Sequence, residues 1–341
     1  MNEALNAYVA DLPVDKKDIT CDFFDAAVCE SARSFGIKKV QMKNPGSKQV
    51  LVSIQGCGVC NSNLPLWEGR EWFEYPLEPG APGHEAWGVV KTCGSEVSDV
   101  KPGQRVTFLS TNAYAQFDIV DEDKLVSLPP QLNHTDLPGE PLGCAINVFR
   151  RSKIVSGQTV AVVGTGFLGV LLVKLCSLEG ARVIALSKRR TSLEAALNYG
   201  AGDVVVLDDY QKALGGLKSI TKGQGCDVVI ECSGFQMPLD LASETVRTGG
   251  KLVIAGYHQD GLRTVDMQKW NWKAIQVINA HERQSSVCID AMRRAVEQIC
   301  AGEIQLSSLI THRFPLSEIN DAFQILKDRP EGFIKAVVIN E

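Results

Sequence analysis

Along the first half of the chain the apolar positions come in short alternating runs. "QVLVSIQ" (49–55) places Val50, Val52 and Ile54 on one face, the period-two spacing of a half-buried strand. "EAWGVVKTCG", "QRVTFL" and "AQFDIV" are further runs of this kind, separated by the turn signals "PGAPG" and "KPGQ". The β-like texture begins at "AAVC" (26–29), whereas residues 1–22 are polar and irregular and read as an N-terminal extension or extra edge element. The first half is expected to be all-β with irregular loops.

At residue 158 the pattern changes. "QTVAVVGTGFLGVLLVKLCSLEGARVIALSKRR" is a short apolar strand, a glycine turn, a helix and a second apolar strand. "TSLEAALNYGA" is a helix with a glycine stop, followed by the strand "DVVVL", a polar helix, the strand "CDVVIECSG", another helix and the strand "GGKLVIAGY". Strands alternating with helices predict a doubly wound parallel sheet. From about residue 280 two amphipathic helices, "SSVCIDAMRRAVEQICAGEI" and "SEINDAFQILKDR", precede a closing strand, "KAVVIN". The fold class is therefore α/β, in three stretches: a β-rich domain over 1–150, a nucleotide-type domain over 151–280, and a return to the first domain over 281–341. There is no internal repeat and no low-complexity tract.

Bulk properties narrow the function. At 341 residues the chain is too long for one typical core. With 45% hydrophobic and 22% charged residues it has the composition of a globular protein. The net charge of −5, without a basic stripe or a Lys/Arg block, speaks against nucleic-acid and membrane-surface partners. The most apolar run, "GFLGVLLVKLC", is too short to span a bilayer and carries Lys174. The first residues show no apolar signal core. Eleven cysteines, odd in number and scattered, read as reduced thiols with some metal ligands among them. A cytoplasmic address is the expectation.

"VAVVGTGFLG" sets Gly164, Gly166 and Gly169 in the spacing G-x-G-x-x-G, with Phe167 and Leu168 between the last two, after a strand and before a helix. The first glycine suits the tight turn, the second lets backbone approach a pyrophosphate, and the third lets helix pack on strand. The phosphates would meet the helix N-terminus. Where an NAD-preferring site places an acid at the end of the second strand, this chain has Ser187, followed by Lys188, Arg189 and Arg190. No carboxylate repels a 2′-phosphate there and cations are at hand to bind one, so NADP is expected over NAD.

"GCGVCNSN" holds Cys57 and Cys60 in C-x-x-C spacing. That pair alone suits half a zinc ribbon, a redox couple, or one corner of a catalytic metal site. The order of "GVCNSN", "PGHEAWGVV", "KPGQRV", "EPLGCA", the glycine loop and "GFIKAVV" resembles the zinc-dependent medium-chain alcohol and polyol dehydrogenases, in particular the sorbitol and threonine dehydrogenase-like branch. The resemblance runs from about residue 24 to the end. It implies a GroES-like catalytic domain and a Rossmann cofactor domain.

It also implies roles. Cys60 and His84 match the thiolate and imidazole ligands of a catalytic zinc, and Glu85 a carboxylate that coordinates or leaves the metal. Glu140, 24 residues before Gly164, matches the remaining ligand, directly or through water, with Cys144 as the other candidate. Thiolate, imidazole and carboxylate all suit zinc, which as a Lewis acid lowers the pKa of a bound alcohol. Ser62 matches a hydroxyl that passes the substrate proton outward, and Lys335 a basic residue that reaches the cofactor pyrophosphate.

Three departures stand out. Asn63 replaces a common Asp that orients the histidine. Leu64 and Pro65 fill the stretch of a relay histidine. Between Gly88 and Val126 the lone cysteine is Cys93, so the four-cysteine structural zinc lobe is missing and one zinc per chain is expected. Cys57 is then a buried bystander.

Trp67, Trp72, Phe73 and Tyr75 are either a substrate wall or packing. His281, Glu282 and Arg283 in "NAHER" either bind substrate hydroxyls or the cofactor carboxamide region, or form surface ion pairs. The expected activity is hydride transfer between NAD(P) and a secondary alcohol, a polyol, sugar or cyclitol. The alternatives are an NADPH-dependent aldehyde or ketone reductase and, in another class, a zinc-free NADPH-binding sensor. The family's dimers and tetramers imply a homo-oligomer, with "GKLVIAGY" and "RTVDM" as the candidate sheet edge.

Overall fold

The computed structural model describes residues 22–340. The expected N-terminal extension falls, apart from Asp22, outside the described residues.

Two sheets organise the molecule. In the first, Gln49–Gly58, Glu85–Cys93, Arg105–Leu109 and Leu125–Ser127 are successive antiparallel neighbours, and Phe117–Asp121 pairs with Gln49–Gly58. Alternation works as the pattern predicts: Val50, Val52 and Ile54 are all buried. The last strand, Lys335–Ile339, joins the same sheet antiparallel to Gln49–Gly58, with Val337 opposite Gly58, and Ile310–Pro315 lies parallel beyond it. A separate hairpin pairs Phe23–Ser31 with Ser34–Gln41.

The second sheet has six parallel strands. Thr159–Val163 is flanked by Arg182–Ser187 on one side and Cys226–Glu231 on the other. Asp203–Val206 closes the first flank; Val246–Ile254 and then Gln276–Asn279 close the second. The strand order thus reverses at the first strand, whose carboxyl end is where doubly wound sheets take their ligands. Helices cover both faces, so Val160, Ala161, Val162 and Val163 are all buried, which is why these strands read as unbroken apolar runs.

Two elements depart from the sequence reading. The segment before the nucleotide sheet is a 14-residue helix, Gly139–Ser152, where a loop within an all-β half was expected. It lies against the helix Ser285–Cys300, and a Cβ on Gly143 would come within 2.8 Å of the Met292 side chain. This helix is buried from Pro141 to Val148 apart from Cys144, and Arg150 is exposed near its end. The second departure is a correction. "GKLVIAGY" does not form the sheet edge, because Val246–Ile254 is an inner strand and Gln276–Asn279 takes the edge. Residues 263–266 form no strand, and Met267 opens the short helix Met267–Trp272. One further crossover adds a strand that its four residues, three of them exposed, do not announce by pattern.

Candidate active site

Strand register assembles the metal-ligating group. Gly58 pairs with Glu85, so Cys60, just past one strand, and His84, just before the other, meet at the same end of the sheet. Gly58 is needed for this: a Cβ there would lie 1.8 Å from Glu85 Oε2. The ligand atoms of Cys60, His84 and Glu85 all lie within 4.8 Å of one another, and no other such group occurs among the described residues.

The surroundings fit a cation. The Nδ1–H of His84 donates to the Pro82 carbonyl at 3.0 Å, which leaves Nε2 for the group. Burial alone would lower the pKa of this imidazole, but its hydrogen bond to the Cys60 sulfur and the charges of Cys60, Glu140 and Glu85 raise it to about 10. Glu85 is fully buried. Its Oε2 has the Lys335 ammonium at 2.5 Å, and its Oε1 has no hydrogen-bond partner. A buried carboxylate oxygen without a partner is costly unless a positive group meets it, and zinc accepts cysteine, histidine and carboxylate ligands alike.

The other predicted residues fall around this group. The hydroxyl of Ser62 donates to Cys60 Sγ at 3.2 Å. Asn63 is buried, and its amide does not take the imidazole proton. Its Nδ2 donates at 3.2 Å both to the Pro82 carbonyl and to the Tyr114 hydroxyl, so it steadies the acceptor on which His84 rests. Glu140 sits in the first turn of the helix Gly139–Ser152, whose Gly139 N–H is pinned to Thr107 Oγ1 at 2.9 Å. Burial raises the pKa of Glu140, the His84 charge opposes this, and the Cys144 thiol donates to its Oε1 at 3.1 Å. Neither Glu140 nor Cys144 is part of the three-ligand group. Burial, and then the Glu140 charge, push the Cys144 thiol well up and keep it protonated. Cys57 is buried in its strand opposite Ala86, with its thiol on the Gly58 carbonyl.

The glycine loop has the geometry its spacing anticipates. Gly164 has φ +97°, Gly166 faces open space, and a Cβ on Gly169 would lie 2.2 Å from the Gly164 carbonyl oxygen. Phe167 opens the helix Phe167–Leu178. Lys335 bridges this loop and the metal group: buried, it holds Glu85, donates to the Val59 carbonyl at 3.1 Å and lies 5.2 Å from the Phe167 ring centroid. Burial disfavours its charge, but Glu85, Cys60 and Glu140 prevail and raise its pKa. At the second strand's end, Ser187 is buried and its hydroxyl accepts from the Arg189 N–H at 3.4 Å, while Lys188 is exposed.

Among the aromatic residues, Trp67 is core, packed on Phe323, and Trp72 is exposed beside Phe73. The Tyr75 hydroxyl is spent on the Leu66 carbonyl. In "NAHER", Glu282 pairs with Arg151 at 2.7 Å and accepts from two following backbone N–H groups.

Sequence reasoning missed Asn61. Its carbonyl accepts from Gln259 Nε2 at 2.8 Å and its side-chain oxygen from Arg329. A loop of the nucleotide sheet and the chain's last turn thus both hold the residue next to Cys60. No local signal marks a residue whose partners lie more than 190 positions away.

Comparison with known proteins agrees with this geometry. Residues 46–130 match the alcohol dehydrogenase GroES-like domain and residues 168–297 the family described as zinc-binding dehydrogenase. Sorbitol dehydrogenase of Bacillus subtilis (strain 168) is 25% identical over 331 residues, covering 88% of this chain and 92% of that protein. D-arabinitol dehydrogenase 1 of Uromyces fabae is 25% identical over 88% of this chain and 93% of its own. A candidate zinc-binding dehydrogenase from Sinorhizobium meliloti 1021, solved bound to NADP, superposes with a TM-score of 0.79 at 25% identity, over 94% of this chain and 100% of that one.

Fold and site together define the class: the chain has the medium-chain zinc-dependent dehydrogenase/reductase fold, with a GroES-like domain, a Rossmann domain and a single catalytic-type metal group among the described residues. Within it, the chain is an NAD(P)-using oxidoreductase of the alcohol/polyol dehydrogenase superfamily. No helix among the described residues is long and apolar enough to cross a membrane.

Proposed function

We propose that this chain is a zinc-dependent, NADP(H)-preferring dehydrogenase of a secondary alcohol, with a polyol, sugar or cyclitol as substrate. The observation that carries the reading is the Cys60–His84–Glu85 group, half-buried at Cys60 and His84 and fully buried at Glu85, with one carboxylate oxygen of Glu85 unpartnered. Cys60, His84 and Glu85, with Glu140 close by, would hold a zinc ion whose Lewis acidity eases removal of the alcohol proton. Gly164, Gly166, Phe167, Leu168 and Gly169 would cradle the nucleotide, which supplies the hydride chemistry.

The chain's own groups do the rest. Ser62, hydrogen-bonded to the Cys60 sulfur, would carry the alcohol proton toward solvent. The Pro82 carbonyl, steadied by Asn63, fixes the tautomer of His84. Lys335 balances the charge of Glu85. The similarity to sorbitol and arabinitol dehydrogenases supports a polyhydroxylated substrate. Ser187 in place of an acid, followed by Lys188, Arg189 and Arg190, supports NADP(H). A homodimer or homotetramer would use the edge strand Gln276–Asn279, which carries the exposed Val277 and follows the exposed Trp272; its mass in solution tests this.

The activity is tested with a panel of polyols, sugars, cyclitols and simple alcohols, each run with both nucleotides and read by reduced-nucleotide absorbance. Turnover of a polyhydroxylated secondary alcohol with NADP is the expected result. Turnover of simple primary alcohols alone would refute the substrate class, and a preference for NAD would refute the nucleotide.

A further inference from the structure

The basic turn after Ser187 does not stand open. Arg189 donates its guanidinium to the Phe333 carbonyl and lies 5.9 Å over the Phe333 ring. Arg190 pairs with Glu194 one helical turn on, at 2.8 Å. The helix Arg190–Asn198 begins here. In its first turn, Thr191 gives both its main-chain N–H and its hydroxyl, each at 2.5 Å, to one carboxylate oxygen of Glu331. The neighbouring Gly332 N–H returns a bond to the Thr191 hydroxyl at 2.9 Å. Glu331 belongs to the turn between the helix Ile319–Asp328 and the strand Lys335–Ile339. An acid from the metal-bearing half therefore sits on a helix start of the nucleotide half.

That helix start, a hydroxyl and a guanidinium make the surroundings that attract a phosphate. A carboxylate already fills part of them. We propose that Glu331 is a specificity-determining residue for the nucleotide: it competes with the 2′-phosphate of NADP(H) for the start of the helix Arg190–Asn198, and so sets how far the basic turn favours NADP(H) over NAD(H). The inference rests on the dinucleotide reading above.

The charges support it. Around Arg189, Arg329 repels the guanidinium and Glu331 attracts it, so an incoming phosphate and Glu331 would share one cation. The two Thr191 hydrogen bonds hold the Glu331 carboxyl below its usual range, and it is ionised at neutral pH. Like charges brought together oppose binding, whereas the neutral 2′-hydroxyl of NAD(H) meets no such repulsion.

The test is fluorescence titration of NADPH and NADH without substrate, on the full chain and on Glu331→Gln, with Arg189→Ala as the opposite arm. Glutamine keeps an acceptor oxygen for Thr191 and removes the charge, and its exposed position spares the fold. Glu331→Gln is expected to tighten NADPH about tenfold at low ionic strength, to leave NADH within about twofold, and to lose this gain as salt screens the charges. Arg189→Ala should weaken NADPH more than NADH. An unchanged NADPH-to-NADH ratio in Glu331→Gln overturns the inference, whether neither affinity moves or both shift equally, the latter making Glu331 a latch between the halves only. Wild-type binding of neither nucleotide overturns the dinucleotide reading and this inference with it. A wild-type preference for NADH combined with the shifted ratio overturns only the NADP(H) preference.

Discussion

Glu85 concentrates the chemistry at the scale of single residues. It is a buried carboxylate with an ammonium on one oxygen and no hydrogen-bond partner on the other. Beside it, Cys60 and His84 offer the softer ligands, and their roles differ from that of Gly166, which faces open space at the nucleotide loop. Chemistry and nucleotide binding should therefore separate. Cys60→Ser and His84→Ala are expected to lower turnover by at least about a hundredfold, the loss of metal activation, while NADPH binding measured by fluorescence stays within about twofold. Undiminished turnover in either variant would remove the catalytic-metal assignment.

At the scale of elements, two close approaches decide the geometry. The helix Phe167–Leu178 packs so tightly on its strand turn that only glycine fits at position 169, since a Cβ would stand 2.2 Å from a backbone oxygen. Backbone cannot yield as a flexible side chain does. Gly169→Ala should therefore cost about 1–3 kcal/mol of stability in urea unfolding and weaken both nucleotides together. Loss of stability with unchanged nucleotide affinity would mean that the loop does not position the nucleotide. The helix Gly139–Ser152 is the other case. It presents Glu140 and Cys144 one turn apart, and their mutual hydrogen bond follows from i,i+4 spacing once the segment is known to be helical.

At the scale of the molecule, the metal group lies at the end of one sheet, and three apolar cores hold the described residues together, the largest joining Trp87 and Val126 of the first half to Val160 and Val162 of the nucleotide half. One gathers Val50, Val52, Ile54, Phe108 and Phe323; another gathers Ala161, Val163, Ile184 and Leu252. The fold should not depend on a metal as small zinc domains do. Treatment with a chelator is expected to abolish turnover while shifting the melting temperature by only a few degrees, and elemental analysis should find about one zinc per chain restored with activity. Global unfolding on chelation would show the metal to be structural.

The sequence by itself determined the parts that depend on local spacing. Alternation marked Gln49–Gly58 as a strand; the glycine spacing marked the nucleotide loop; and the order of motifs singled out Cys60, His84 and Glu85, which the structure brings within 4.8 Å. The strand and the loop are short-range patterns, imposed by the period of the strand and by the backbone freedom of glycine, whereas the three site residues came with the family resemblance that the order of motifs carries. Only the tertiary structure decided the rest. The inner place of Val246–Ile254, the helical state of Gly139–Ser152, the pairing of Lys335 with Glu85, the hold of Gln259 and Arg329 on Asn61, and the seat of Glu331 on Thr191 all join residues far apart in the chain. A side chain bonded across 140 positions, as Glu331 is to Thr191, leaves no period behind, because strand register and the return of the last strand to the first sheet create the contact.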